Sequence, residues 1–232
     1  MSAAGPEPPP GPVAGGAWLP QAAEASTASA ASGTGPTGSV ESGERMSGSD
    51  GSLDAMKDKV IVVTGASAGI GAALARAAHA RGARPVLLAR RERELAEVAA
   101  SAGDAPFIAC DVTRRADVES ALDVAVARMG HVDVWVNNAG RGITRMVSEL
   151  TDEDVDEMML VNVKSALYGM QAALRHFRGR GQGQIVNVSS MLGRIPFAPM
   201  RSAYAASKHA LNALTANLRM ELRGALPKVH VT

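Results

Sequence analysis

Apolar residues in this chain fall into short unbroken runs, separated by longer stretches in which they recur every three or four positions. Val60-Ile61-Val62-Val63 is such a run, four β-branched residues long, and reads as a strand covered on both faces. Residues 69–82 follow as an alanine-rich helical stretch closed by Gly82. The alternation then repeats: strand Val86–Leu88 and helix 91–101, strand Phe107–Ala109 and helix 115–129 ended by Gly130. Strand Val132–Val136 precedes a helical stretch over 151–178, and strand Gln184–Val188 precedes a long helix over 202–224. Val229-His230-Val231 begins a sixth strand. Strands apolar on both faces and separated by helices predict an α/β fold with a doubly wound parallel sheet and ligands at the carboxyl ends of its strands.

The first 56 residues break this pattern. They hold 7 of the 12 prolines and 10 of the 24 glycines, with six acidic residues against the single basic Arg45. Such a segment buries too little apolar surface to offset its chain entropy, so 1–56 is expected to be a disordered low-complexity tail. It is acidic where a transit peptide is basic, and it lacks the apolar centre of a secretory signal. Residues 57–232 form the folded domain and carry 23 basic and 17 acidic residues, a net charge of +6. No block of like charge suggests a nucleic-acid arm, and no apolar run is long enough for a membrane span. The one cysteine, Cys110, sits in the apolar run Phe107-Ile108-Ala109-Cys110 and reads as a core residue in a reducing, cytoplasmic setting. No metal-ligand spacing is present.

The first strand runs directly into Thr64-Gly65-Ala66-Ser67-Ala68-Gly69-Ile70-Gly71 and then into a helix. Glycines there let the backbone approach a pyrophosphate, and the helix N-terminus offers free N–H groups and partial positive charge. The second strand ends in Ala89-Arg90-Arg91, where a cofactor without a 2′-phosphate normally meets an acidic residue. Arg90 offers a guanidinium fork suited to a 2′-phosphate, so NADP(H) is expected over NAD(H); otherwise the arginine pair is a solvated helix start. Asp111, at the end of the third strand, either accepts from an adenine amino group or caps the helix that follows.

Tyr204-Ala205-Ala206-Ser207-Lys208 places a phenol and an ammonium four residues apart on one helix face. Reduction of a carbonyl by hydride leaves an oxyanion that must be protonated. A tyrosine gives up its proton poorly near neutrality, and an ammonium beside it favours the charged form. Val188-Ser189-Ser190 ends the fifth strand at the edge where ligands bind, and a hydroxyl there can orient a carbonyl oxygen. Asn162 lies in an apolar helical stretch, where an asparagine needs a partner.

With Asn137-Asn138-Ala139-Gly140 at the end of the fourth strand, these motifs make residues 58–232 resemble the short-chain dehydrogenase/reductase family of the classical type. The resemblance implies a Rossmann-like sheet in the order 3-2-1-4-5-6, and an oxidoreductase moving hydride between NADP(H) and a carbonyl or secondary alcohol. It assigns Gly65, Ser67, Gly69, Ile70, Gly71, Arg90, Asp111 and Asn138 to the cofactor, with Tyr204 and Lys208 serving both cofactor and chemistry. Tyr204 is then the general acid or base, and Lys208 its partner. Asn162 holds a water linking the lysine to solvent. The serine corresponds to Ser190, although the interval to the tyrosine is one residue longer than usual and keeps Ser189 in question. The family's second basic marker of NADP preference is Ala68 here. The partner implied is a small molecule, not a nucleic acid, with the helices around 151–178 and 202–224 pairing copies into a dimer or tetramer. The family pattern continues beyond Thr232 with a substrate loop and a seventh strand, so the sixth strand is expected to be incomplete and the domain truncated. A non-catalytic nucleotide-binding or heteromer-forming fragment is the alternative reading.

Overall fold

A computed structural model describes residues 56–232 apart from positions 196 and 198. The segment read as a disordered tail therefore lies outside the described residues, Met56 excepted. Strand β1 (Val60–Thr64) is buried along its whole length, and its residues sort by parity. Val60 and Val62 join one core, while Ile61 and Val63 join the other. A period of two with both faces apolar is what a central strand requires. On one side β1 pairs with β2 (Arg84–Ala89), which pairs with β3 (Phe107–Ala109). On the other side lie β4 (Val134–Asn137), β5 (Gly183–Asn187) and β6 (Val229–Val231). All pairs are parallel, and the order is β3-β2-β1-β4-β5-β6, as the motifs implied. The order in which successive strands are added reverses between β1 and β4, which opens a crevice at their carboxyl ends.

Helices α1 (Gly69–His79) and α2 (Glu92–Ala100) cover one face through Ala72, Ala75, Ala78, Leu95 and Val98. The opposite face is covered by α3 (Arg115–Met129), α5 (Ser165–Arg180) and α6 (Ser202–Ala225), with Leu122, Met170, Phe177 and Leu222 in its core. The alanine face of α1 lets that helix sit close to the strands beside the glycine loop. Helix α1 stops at His79, and the remaining residues to Gly82 form a turn, shorter than the periodicity suggested.

The stretch 151–178 is not one helix. It comprises α4 (Asp152–Met159), a π-helical turn (Leu160–Lys164) and then α5. Thr151 starts α4 with a capping box: its hydroxyl accepts from the Asp154 N–H, and the Asp154 carboxylate accepts from the Thr151 N–H at 3.0 Å. The π turn turns the side chain of Asn162 inward, away from an apolar face it would otherwise interrupt.

At the amino ends of the strands Asp133, 9% exposed, ties four elements together. Its carboxylate accepts from the Val60 N–H at 2.9 Å and lies 3.0 Å from His131 Nε2 and 3.2 Å from Arg180. Burial pushes this carboxyl up, but the Val60 N–H, His131, Arg180 and Lys59 together outweigh it and hold it below the ordinary carboxylate range. A lowered folded-state value means that the contribution to stability is complete above the unfolded-chain value and is lost as pH falls through the folded one. Asp133→Asn should therefore cost about 1–3 kcal/mol in urea unfolding at neutral pH, with the deficit shrinking in acid. An equal deficit at pH 7 and in acid would show that the charge contributes nothing.

Near this end a hollow of about 560 Å³ lies over Ile61, Val134, Val136 and Val186. It is lined mainly by sheet residues and by none of the predicted site residues.

Candidate active site

The carboxyl edge of the sheet carries the crevice. Thr64, the last residue of β1, organises it. Its hydroxyl donates to the Val136 carbonyl at 3.1 Å and accepts from the N–H groups of Asn138 and Ala139 at 3.0 and 3.1 Å. The Asn138 amide in turn donates to the Thr64 carbonyl at 2.9 Å. The glycine loop and the Asn137–Gly140 turn are thus locked face to face. Asn137 points into the core, accepting from Trp135 Nε1 at 2.8 Å and donating to Asn187, whose amide donates to Thr215. The two asparagines therefore have different tasks: one braces β4 against β5, the other braces the loop.

Gly65, Ser67, Gly69, Ile70, Arg90, Arg91, Asp111 and Asn138 line one cavity of about 520 Å³. Gly71 lies beneath it, where α1 passes the Gly65 carbonyl. No atom lies within 4 Å of the position a Gly69 side chain would take, so the amino end of α1 faces open space. Arg91 bends over the loop and donates to the Ser67 hydroxyl from Nη2 at 3.0 Å and from Nε at 3.3 Å. Asp111 accepts from the Thr113 hydroxyl at 2.7 Å and from the Thr113 N–H at 3.0 Å. It does not cap α3, whose first turn has no side-chain cap. Burial raises the Asp111 carboxyl, but Thr113, Arg90 and Arg114 outweigh that and lower it. A glycine cradle and an open helix terminus suit the phosphates of a dinucleotide cofactor, with two guanidiniums in the same cavity.

A second cavity of about 470 Å³ adjoins the first through Ile70, Asn138, Gly140 and Arg141. Tyr204 and Lys208 line it with Val188, Ser189 and Leu192. Lys208 is 4% exposed, and its ammonium donates to the Val188 carbonyl at 2.8 Å and lies 5.8 Å from the Tyr204 ring centre. Burial lowers the value of that ammonium. Asn162 is wholly engaged with protein: its amide accepts from the Arg141 N–H at 2.8 Å, donates to the Arg141 carbonyl at 2.8 Å, and donates to Ser207 at 3.0 Å. Its side chain fixes the Gly140–Arg141 strap against α6, and Asn162 and Lys208 flank Gly140 together.

The structure separates the two serines. Ser189 contributes to the wall beside Tyr204, but its hydroxyl is buried without a hydrogen-bond partner. Ser190 is partly exposed, and its hydroxyl oxygen accepts from the Leu192 N–H at 3.2 Å. That contact fixes the oxygen and leaves the O–H free to donate. Sequence reasoning did not single out Thr64, Arg91 or Arg201 as site residues. Thr64 has a signal, a hydroxyl residue closing a buried strand before a glycine. The position of Arg201, which also lines the second cavity, depends on the loop before α6 and has none.

A doubly wound sheet with a glycine loop after β1, an asparagine turn after β4 and a Tyr-x-x-x-Lys pair at the carboxyl edge defines a class, and residues 59–231 match the short chain dehydrogenase family. The chain belongs to that family. It is similar to an uncharacterized oxidoreductase of Bacillus subtilis, 38% identical over 185 residues that span 78% of this chain and 52% of the relative. A (5R,7aS)-5-hydroxy-7a-methyl-1-oxo-2,3,5,6,7,7a-hexahydro-1H-indene-carboxyl-CoA reductase of Mycobacterium tuberculosis is 43% identical over 165 residues, 68% of this chain and 62% of the relative. Among solved structures, a short chain dehydrogenase from Mycobacterium smegmatis superposes with a TM-score of 0.72 at 36% identity, over 76% of this chain and 75% of the other. The chain thus spans about half the length of the Bacillus relative and three quarters of the mycobacterial structure. Among the described residues no helix is long and apolar enough to cross a membrane, and no cluster of three acidic, histidine or cysteine side chains is placed to hold a metal ion.

Proposed function

We propose that residues 57–232 are the cofactor-binding and catalytic domain of an NADP(H)-dependent oxidoreductase acting on a carbonyl or secondary alcohol. One observation carries this reading: the cavity under the glycine loop and the cavity lined by Tyr204 and Lys208 share Ile70, Asn138, Gly140 and Arg141 in their walls. A nicotinamide cofactor held by these residues would supply the hydride. The chain's own residues do the rest. The amino end of α1 and Asn138 hold the pyrophosphate and neighbouring ribose, Arg90 and Arg91 take the 2′-phosphate, and Asp111 takes the adenine end. Ser190 donates to the substrate oxygen and fixes its position. Tyr204 gives that oxygen its proton during reduction and removes it during oxidation. The buried Lys208 ammonium stabilises the charge left on the phenol oxygen and holds ribose hydroxyls. Asn162 is a positioning residue, keeping the strap beside Lys208 in register. The reductase name of the mycobacterial relative agrees with this chemistry.

The test is a fluorescence titration with NADPH and with NADH. NADPH should bind about 10- to 100-fold more tightly, since two guanidiniums meet its extra phosphate in a partly enclosed site. Arg90→Asp should remove that preference. Equal binding of both cofactors by the wild-type chain would overturn the NADP reading. No binding of either would overturn the oxidoreductase reading.

A further inference from the structure

Arg141 and Arg201 line the second cavity and Arg145 lies on the same loop as Arg141; of the three, only Arg201 is not neutralised among the described residues. Arg141 is paired with Glu157, and Arg145 with Asp154 at 2.5 Å, both carboxylates belonging to α4. Arg201 is joined to the same strap by a parallel backbone bridge to Arg145, with the Arg145 N–H donating to the Met200 carbonyl at 2.9 Å. Its guanidinium has no carboxylate within 4.0 Å and no hydrogen-bond partner among the described residues. Nor does it point away from the site. A side-chain carbon on Gly142 would lie 2.8 Å from Arg201 Nη1 and 3.7 Å from Tyr204 Cδ2. The guanidinium is therefore stationed over a residue with no side chain, beside the ring of Tyr204, in the wall of the cavity.

Ile70, Val188 and Leu192 supply the apolar part of the same cavity wall. A bare guanidinium beside that apolar wall suits a ligand with a hydrocarbon body and an anionic end. Resting on the oxidoreductase reading above, we infer that Arg201 is a specificity residue, and that the substrate is a carbonyl compound with an apolar body and an oxyanion group, carboxylate or phosphate, beside its reacting carbon. Arg141 and Arg145 do not serve, because Glu157 and Asp154 already occupy them. Lys208 does not serve, because its ammonium is buried against the Val188 carbonyl.

The probe pair is benzoylformate and its methyl ester, nearly equal in shape and different in charge. Their binding is measured by calorimetry in the presence of NADP⁺, so that no turnover intervenes. The acid should bind about 10-fold more tightly than the ester. Salt should shrink the difference, Arg201→Met should abolish it, and Arg201→Lys should keep part of it. Absence of a preference for the acid, including failure of either ketone to bind, overturns the inference, as does an equal loss for acid and ester in Arg201→Met. Turnover with NADPH is a separate readout. Charge-selective binding without turnover counts against the oxidoreductase reading and leaves the anion site standing.

Discussion

Tyr204→Phe should lower turnover by about 1,000-fold while leaving NADPH affinity within roughly 3-fold of wild type. The substitution removes one oxygen and keeps the ring that packs in the cavity wall, so the sheet and the cofactor crevice are unchanged. What disappears is the group that exchanges a proton with the substrate oxygen, and a proton-transfer group of this kind is worth about 10²–10⁴ in rate. A loss of about 1,000-fold corresponds to about 4 kcal/mol of transition-state stabilisation. Single-turnover reduction across a panel of ketones and aldehydes is the measurement. Near-normal rates would remove Tyr204 from the chemistry. The serines provide the matching control. Ser190→Ala should slow the reaction about 10- to 100-fold, because the hydroxyl proposed to fix the substrate oxygen is lost. Ser189→Ala removes a buried hydroxyl with no partner, so it should leave the rate close to wild type and stability unchanged or slightly raised. The reverse ranking would move the positioning role to Ser189.

Most of the sheet was legible in the sequence because its strands are buried on both faces. A run such as Val60–Val63 has few other stable readings once a glycine loop and an alanine-rich helix follow it. The phosphate loop and the Tyr204–Lys208 pair were legible for a related reason: each lies within a single turn or helix, so sequence spacing fixes geometry. Features assembled from distant segments were not. The stretch 151–178 looked like one helix because its apolar periodicity is nearly continuous. The π turn arises from tertiary contacts of Asn162 with Arg141 and Ser207, residues 21 and 45 positions away. For the same reason the partners that an asparagine in an apolar stretch requires, here Arg141 and Ser207, were not legible. The choice between Ser189 and Ser190 depended on a one-residue difference in a loop, which spacing alone does not resolve. Ser189 lines the Tyr204 cavity with a buried, unpartnered hydroxyl, while Ser190 lines a neighbouring hollow with Asn212 and Thr215. Arg201 illustrates the limit most sharply, since its character comes from the carboxylates that pair with Arg141 and Arg145 and not with it.

Gly71→Ala should abolish measurable NADPH binding and destabilise the domain, although alanine is the better helix former by about 1 kcal/mol. A Cβ at this position would lie 2.5 Å from the Gly65 carbonyl oxygen and 2.6 Å from Asn138 Nδ2. Both contacts are far inside van der Waals distance, and neither neighbour can step aside. The carbonyl is backbone of the phosphate loop, and the Asn138 amide is held by its bond to the Thr64 carbonyl. Helix and loop must therefore separate, which opens the Thr64–Asn138 lock and spoils the curvature that receives the pyrophosphate. Overpacking of this kind costs about 1–3 kcal/mol, which outweighs the gain in helix propensity. Two further glycines separate the causes. Gly179, within α5, has nothing within 4 Å of its would-be Cβ, so Gly179→Ala should stabilise the domain by up to about 1 kcal/mol and leave cofactor binding alone. Gly69 also faces open space but has φ +55°, so Gly69→Ala adds about 1–2 kcal/mol of backbone strain and a methyl group in the space open to the phosphates. Urea midpoints and NADPH titrations of the three variants give the comparison. If Gly71→Ala matches Gly179→Ala in both measurements, the loop and α1 are not packed as described, and the crevice is not the cofactor site.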